Sequence, residues 1–149
     1  MTDRPKVIYI LILLWLSLST IFAAWGGYSL TIFLQIPNWY ELGPLIPQLH
    51  FGYLISTIVW FVFSSLFIIF AYATFRRDNW AWTTGIIIST IFLVIFSIML
   101  AALMINAVMF LDWFSVAGLV TVVLSFLIDL GIIFYLTRPT SKLYFEITE

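Results

Sequence analysis

A single acidic residue, Asp129, interrupts four otherwise uncharged apolar stretches. It lies nine residues before Arg138, about 13 Å deeper along a helix axis. Arg138 marks a membrane interface, so Asp129 falls near the middle of the hydrocarbon. A carboxylate there costs at least about 2.5–3.5 kcal/mol on insertion scales, and something must offset that cost. Nine positions correspond to about 180° around a helix, so Arg138 cannot be the partner. The hydroxyls of Thr57, Ser64, Thr90 and Ser97 are candidates. So are Arg76 reaching inward and a group from a neighbouring subunit. Two readings of Asp129 stay open. With Ser125 and Thr121 it makes a proton or cation site, or it is a hydrogen-bonded carboxyl that fixes packing.

The other residues able to do chemistry are sparse. His50, Glu41 and Asp112 fall on one side of the membrane, and one His with two carboxylates can hold a metal. Their spacing matches no ligand motif, and a solvated or capping His is the plainer reading. Asn106 suits an interhelical hydrogen bond. Trp15 and Trp60 lie away from the interfaces. With fifteen Phe residues they can line a site for a quinone, carotenoid or other lipid-like ligand, or simply pack. The chain has no Cys, which excludes thiolate catalysis, disulfide exchange and iron–sulfur ligation. One His excludes a haem held by two His of this chain. No nucleophile–base pair or phosphate loop is visible. The expectation is no cofactor, and no metal or haem bound by this chain alone.

These residues must be positioned by membrane helices. The 149 residues are 64% hydrophobic, 19% aromatic and 9% charged, whereas soluble domains carry about 25% charged residues. Spans are expected at about 7–34, 51–75, 80–106 and 113–137, each long enough for a core about 30 Å thick. A lipid-exposed backbone must satisfy its own hydrogen bonds, which makes helices the default. The fold class is an all-α, integral membrane four-helix bundle forming a single domain. Span one is about 42 Å long as a straight helix. It must tilt, project, or bend near Gly26-Gly27. Span three has the same excess. The outer loop 36–50 holds Pro37, Gly43, Pro44 and Pro47, so it cannot be one regular helix. Its apolar residues Trp39 to Leu49 suit an interface or a partner.

Charge sets the orientation. All six Lys and Arg residues, Arg4, Lys6, Arg76, Arg77, Arg138 and Lys142, fall in alternate gaps. Short basic loops stay cytoplasmic, which gives an N-in/C-in topology. The first segment has a signal-like start, but its apolar run continues well past Ala23-Ala24, so it reads as a retained span. Net charge is −1, and no basic stripe is present to bind nucleic acid. Two basic residues per cluster fall short of the four to eight that suggest lipid-headgroup recognition. Trp39 and Trp113 suit an outer aromatic belt, and Trp80, Trp82, Tyr72 and Tyr135 an inner one.

Each span also carries a seam of small or hydroxyl residues. In span one it is Ser17, Thr20, Ala24, Gly27 and Thr31. In span two it is Thr57, Ser64 and Ala71. In span three it is Thr83, Thr90 and Ser97. In span four it is Ser115, Gly118, Thr121, Ser125 and Asp129. Small residues let helices approach closely in lipid, and hydroxyls bond across. A repeat near 3.5 favours crossings near +20°. The seams are expected to pack the bundle, with a hydrated path along them as the alternative.

The tail Arg138-Pro139-Thr140-Ser141-Lys142-Leu143-Tyr144-Phe145 resembles the Arg-Pro-x-x-Lys-x-Tyr-Phe close of small uncharacterised four-span membrane proteins of archaea and bacteria. The resemblance implies a prokaryotic cell membrane and brings no activity with it. In physical terms Pro139 stops the helix, Arg138 and Lys142 anchor at headgroups, and Tyr144-Phe145 dips back toward the interface. The reading that follows is a non-catalytic accessory subunit of a larger integral-membrane complex, of the respiratory oxidase or copper membrane monooxygenase type. Its partners are the lipid bilayer and other integral membrane subunits. The alternative is a small homo-oligomeric transporter or channel using Asp129. A membrane enzyme ranks behind both.

Overall fold

The computed structural model describes residues 6–35, 46–109 and 113–145, with side chains of 46–50, 105–109 and 113–115 left aside. These residues form four long helices and a short one. They are α1 (Lys6–Gln35), α2 (Ile46–Arg76), α3 (Asn79–Met109), α4 (Trp113–Leu136) and α5 (Pro139–Tyr144). The four long helices are each long and apolar enough to cross a membrane, as the uncharged stretches predict. The molecule is an all-α integral membrane protein.

Two boundaries differ from expectation. α2 begins at Ile46, so the last part of the outer loop is helical after all. Pro47 falls in the first turn, where its missing N–H has no intrahelical partner to lose. The rest of that loop lies outside the described residues. α1 runs as one unbroken helix through Gly26-Gly27. Gly26 serves packing: a Cβ on it would come within 3.3 Å of the Phe61 ring.

The turn between α2 and α3 is closed by two backbone bonds, Asp78 N–H to the Ala73 carbonyl at 3.1 Å and Arg77 N–H to the Thr74 carbonyl at 3.3 Å. This double closure requires a left-handed residue, and Arg77 supplies it with φ of 65°. A non-glycine residue there costs about 1 kcal/mol or more. The Arg77 guanidinium lies 4.6 Å from the Tyr144 ring centroid, and the Tyr144 hydroxyl donates to the Phe75 carbonyl at 3.4 Å. These contacts place α5 and the α2–α3 turn at the same end of the molecule. Arg138 opens α5 in an extended conformation and Pro139 occupies its first turn. The Ser141 hydroxyl donates to the Tyr135 carbonyl at 2.6 Å. Tyr144 and Phe145 are buried, so the tail folds back under the bundle.

α1 packs along α2, α3 packs along α4, and α1 also meets α4. α2 and α3 approach less closely, and aromatic rings fill the space between them. Phe22 of α1 is the centre of this filling. Its ring lies 5.2 Å from Trp60, 5.9 Å from Phe63, 5.2 Å from Phe67 and 5.8 Å from Phe92. Phe63 and Phe92 meet edge-on at 5.1 Å. Trp15 stacks on Phe67 at 5.7 Å and on Phe70 at 5.0 Å. Hydroxyls add to the α1–α2 contact. Ser19 Oγ lies 3.0 Å from Ser64 Oγ and donates to the Ser64 carbonyl at 3.0 Å. Ser29 and Ser56 meet at 3.3 Å.

The small-residue seams divide into two groups. Thr57, Ser64 and Ala71 of α2, with Ser125 and Asp129 of α4, are buried inside the bundle. The seams of α1 and α3 are not. Ser17, Thr20, Ala24 and Thr31 are exposed, as are Thr83, Thr90 and Ser97. The helices turn a different face inward because the largest rings choose it. α1 buries Ile8, Leu11, Trp15, Leu18 and Phe22, and α3 buries Ala81, Ser89, Phe92 and Phe96.

Because Phe22 touches rings on both α2 and α3, Phe22→Ala is expected to cost about 3–5 kcal/mol. Phe22→Leu, which keeps most of the volume, should cost clearly less. Unfolding in mixed detergent micelles, followed by helical circular dichroism, checks this ordering. Equal costs would show that the ring contacts do not hold α1 in place.

Candidate functional site

The inward face of α4 carries Val122, Ser125, Asp129, Ile132 and Leu136, all buried. Their spacing of three and four residues is that of one helix face. Asp129 is thereby committed to the interior of its own bundle, and its relative exposure is 0%. Thr121 is half-buried and bonds back to the Ala117 carbonyl at 2.8 Å. Ser125 lies one turn from Asp129 on the same face.

Glycines let the neighbouring helices come close. A Cβ on Gly131 would meet Leu14 of α1 at 3.4 Å. A Cβ on Gly85 would meet Leu136 Cδ1 at 3.3 Å and Trp15 Cζ2 at 3.4 Å. A helical side chain leans toward the N-terminus of its helix, so Leu136 covers Gly85 from about a turn below. Ser89, one turn beyond Gly85, is thus brought level with Asp129. The Ser89 hydroxyl is the polar side chain beside the Asp129 carboxyl. Even so, the pair does not reach hydrogen-bonding geometry, and Ser89 Oγ, both Asp129 oxygens and Trp15 Nε1 are buried without a partner.

The candidate partners named from sequence are all elsewhere. Thr57 bonds to the Tyr53 carbonyl and Ser64 is taken by Ser19. Thr90 and Ser97 are exposed and bond to the carbonyls of Ile86 and Leu93. Arg76 is exposed, 5.7 Å from the Tyr72 ring. Ser89 replaces them. Its sequence signal is the run Ala81, Gly85, Ser89, a small residue every four positions, which is a close-packing pattern in membranes.

Trp15 is fully buried and stacks on Phe67 and Phe70, and Trp60 lies against Phe22, so both rings take part in the packing. Trp82 is held by its indole N–H, which donates to the Leu136 carbonyl at 2.8 Å. Glu41 and Asp112 lie outside the described residues, as do the side chains of His50 and Asn106. What the structure does bring together is one carboxyl and one hydroxyl, with Trp15 packed against Gly85 one turn from Ser89. That set can exchange protons and hydrogen-bond a small molecule.

The chain matches no family model, no curated protein and no solved structure.

Because no cation among the described residues pairs with Asp129, Asp129→Asn is expected to keep the fold and to leave stability unchanged or higher. The isosteric amide fills the same space without a burial cost for charge. Denaturant or detergent unfolding measures it. A loss above about 2 kcal/mol would mean that a cation holds the carboxylate.

Proposed function

We propose that this protein is a non-catalytic subunit of a larger integral-membrane assembly, contacted through the outer faces of α1 and α3. The observation that carries this reading is the placement of the two small-residue seams on the outside. Ser17, Thr20, Ala24 and Thr31 line one exposed face of α1, and Thr83, Thr90 and Ser97 line one of α3. Their hydroxyls bond back to carbonyls of their own helix, as in Thr20 to Leu16 at 2.9 Å and Thr90 to Ile86 at 2.7 Å. The faces thus present little bulk and few unmet donors, which is the surface on which another membrane helix packs closely. The aromatic-rich exterior supports the same reading. A respiratory oxidase or copper membrane monooxygenase is the type of assembly proposed. A homo-oligomeric transporter would need Asp129 on a shared axis, and its burial inside one bundle counts against that arrangement.

Purification in mild detergent should bring a different integral-membrane chain with this one, with more than about 2,000 Å² buried between them. Thr90→Trp and Thr20→Trp should release the partner while the chain itself stays folded. Ile98→Trp, a change at an already bulky exposed position, should not. A monodisperse homo-oligomer showing substrate flux in liposomes that depends on Asp129 would defeat the subunit reading.

We also propose that the basic end faces the cytoplasm of a prokaryotic cell, with both termini inside. Support comes from the alternation of all six basic residues. Cysteines placed at Thr2 and Asp78 should resist an impermeant thiol reagent in intact cells, and one at Asn38 should react. The opposite pattern inverts the topology.

A further inference from the structure

We propose that Asp129, Ser89 and the indole N–H of Trp15 form an internal binding site for water. Among the described residues, the buried side-chain atoms left unpaired are Trp15 Nε1, Ser89 Oγ and both oxygens of Asp129. They come from three helices, yet they occupy one region. Trp15 Cζ2 approaches Gly85, one turn from Ser89, and Nε1 lies on the same long edge of the indole as Cζ2. The contact of Leu14 with Gly131 sets the Trp15 turn of α1 beside the Asp129 turn of α4. Ser89 is the polar neighbour of the Asp129 carboxyl.

Many other hydroxyls of the bundle are satisfied. Ser19 bonds to Ser64, Ser29 to Ser56, and Thr57, Thr90, Ser97 and Thr121 to carbonyls of their own helices. Ser89 departs from this habit. It does not return its proton to the preceding turn, so its hydroxyl is available to an occupant. Buried polar groups in folded proteins are almost always paired with protein or with ordered water, and the unmet groups here are complementary. The indole N–H is a donor only. The carboxyl accepts, and the hydroxyl does both. A metal cation fits poorly, because an indole N–H faces the site and only one carboxyl is present. A side chain of a neighbouring subunit does not fit, because Asp129, Ser89 and Trp15 are each 0% exposed. Water is the smallest molecule that accepts from the indole and donates to the carboxyl at once. Its presence would also give Asp129 a partner for proton exchange inside the bundle. This inference is independent of the subunit reading, since the groups of the site are buried inside the bundle and the outer seams are exposed.

The test is NMR of the full chain in lipid nanodiscs with isotope-labelled tryptophan indoles. The chain has seven tryptophans. Trp82, bonded to the Leu136 carbonyl, is the internal control. Trp15→Phe and Trp82→Phe assign the two signals. The Trp15 indole proton should cross-relax with water. Asp129→Asn and Ser89→Ala should each move the Trp15 signal and leave Trp82 in place. A Trp15 indole proton without cross-relaxation to water overturns the proposal. So does a signal that neither substitution moves. If Trp15→Phe does not fold, Asp129→Asn still decides, because a spectrum in which no indole signal moves excludes the site.

Discussion

Helices already dissolved in hydrocarbon gain nothing from hiding apolar surface from water, so this bundle depends on contact. Contact means dispersion between well-fitted atoms and hydrogen bonds between the few polar ones. The ring of Phe22 concentrates the first kind, because it reaches α2 and α3 from α1. α2 and α3 have backbones set apart, and without those rings the space between them would have no filling atoms. Where backbones do come close, a glycine or a serine is found. Gly26 receives the Phe61 ring, Gly85 receives Trp15 and Leu136, and Gly131 receives Leu14. Large rings and small residues are two sides of the same fit.

This explains which parts of the molecule sequence reasoning reaches. The number of spans follows from long uncharged runs, whose meaning does not depend on what packs against what. Bundle faces are different. In α1 the residues at 8, 11, 15, 18 and 22 repeat with the same alternation of three and four as those at 17, 20, 24, 27 and 31. Both stripes have the period of a packing seam. Periodicity alone cannot choose between them, because in lipid neither side is forced inward by water. The structure chooses the stripe with Trp15 and Phe22, which offers more contact. The Asp129 site was legible to the same degree. Its carboxyl stands out in any reading of the chain, since it is the one charge within the four spans. Ser89 does not, since it is an ordinary residue made distinctive only by what the fold leaves unpaired, and Trp15 stands out only as a large ring away from the interfaces, with nothing to link it to Asp129.

The charged end shows what folding adds to a linear pattern. Along the chain, Arg76-Arg77 and Arg138 with Lys142 are two separate pairs. In the fold, the contact of Arg77 with Tyr144 brings them to one surface. Arg138 lies 4.4 Å from the Phe134 ring centroid and Arg76 lies 5.7 Å from that of Tyr72, so the guanidinium groups rest on rings. Such contacts orient a cation without neutralising it. The left-handed conformation of Arg77 has a reason in this setting. Glycine would relieve the backbone, but it would remove both a positive charge and the ring contact that ties α5 to the turn.

The exterior seams and the interior carboxyl pose separate questions because the seams are exposed and the carboxyl is buried. A partner helix on α1 or α3 would touch Thr20 or Thr90 and would not reach Asp129. An occupant between Asp129, Ser89 and Trp15 would be shielded from that partner by the packed side chains of the bundle, since all three residues are 0% exposed. Any effect of assembly on the buried site must therefore travel as a shift of a whole helix. The tight contacts at Gly85 and Gly131 are where such a shift would be felt first. A displacement of α3 toward a partner would loosen Gly85 from Trp15 and draw Ser89 away from Asp129. The carboxyl then becomes a reporter of assembly whether or not it has a task of its own.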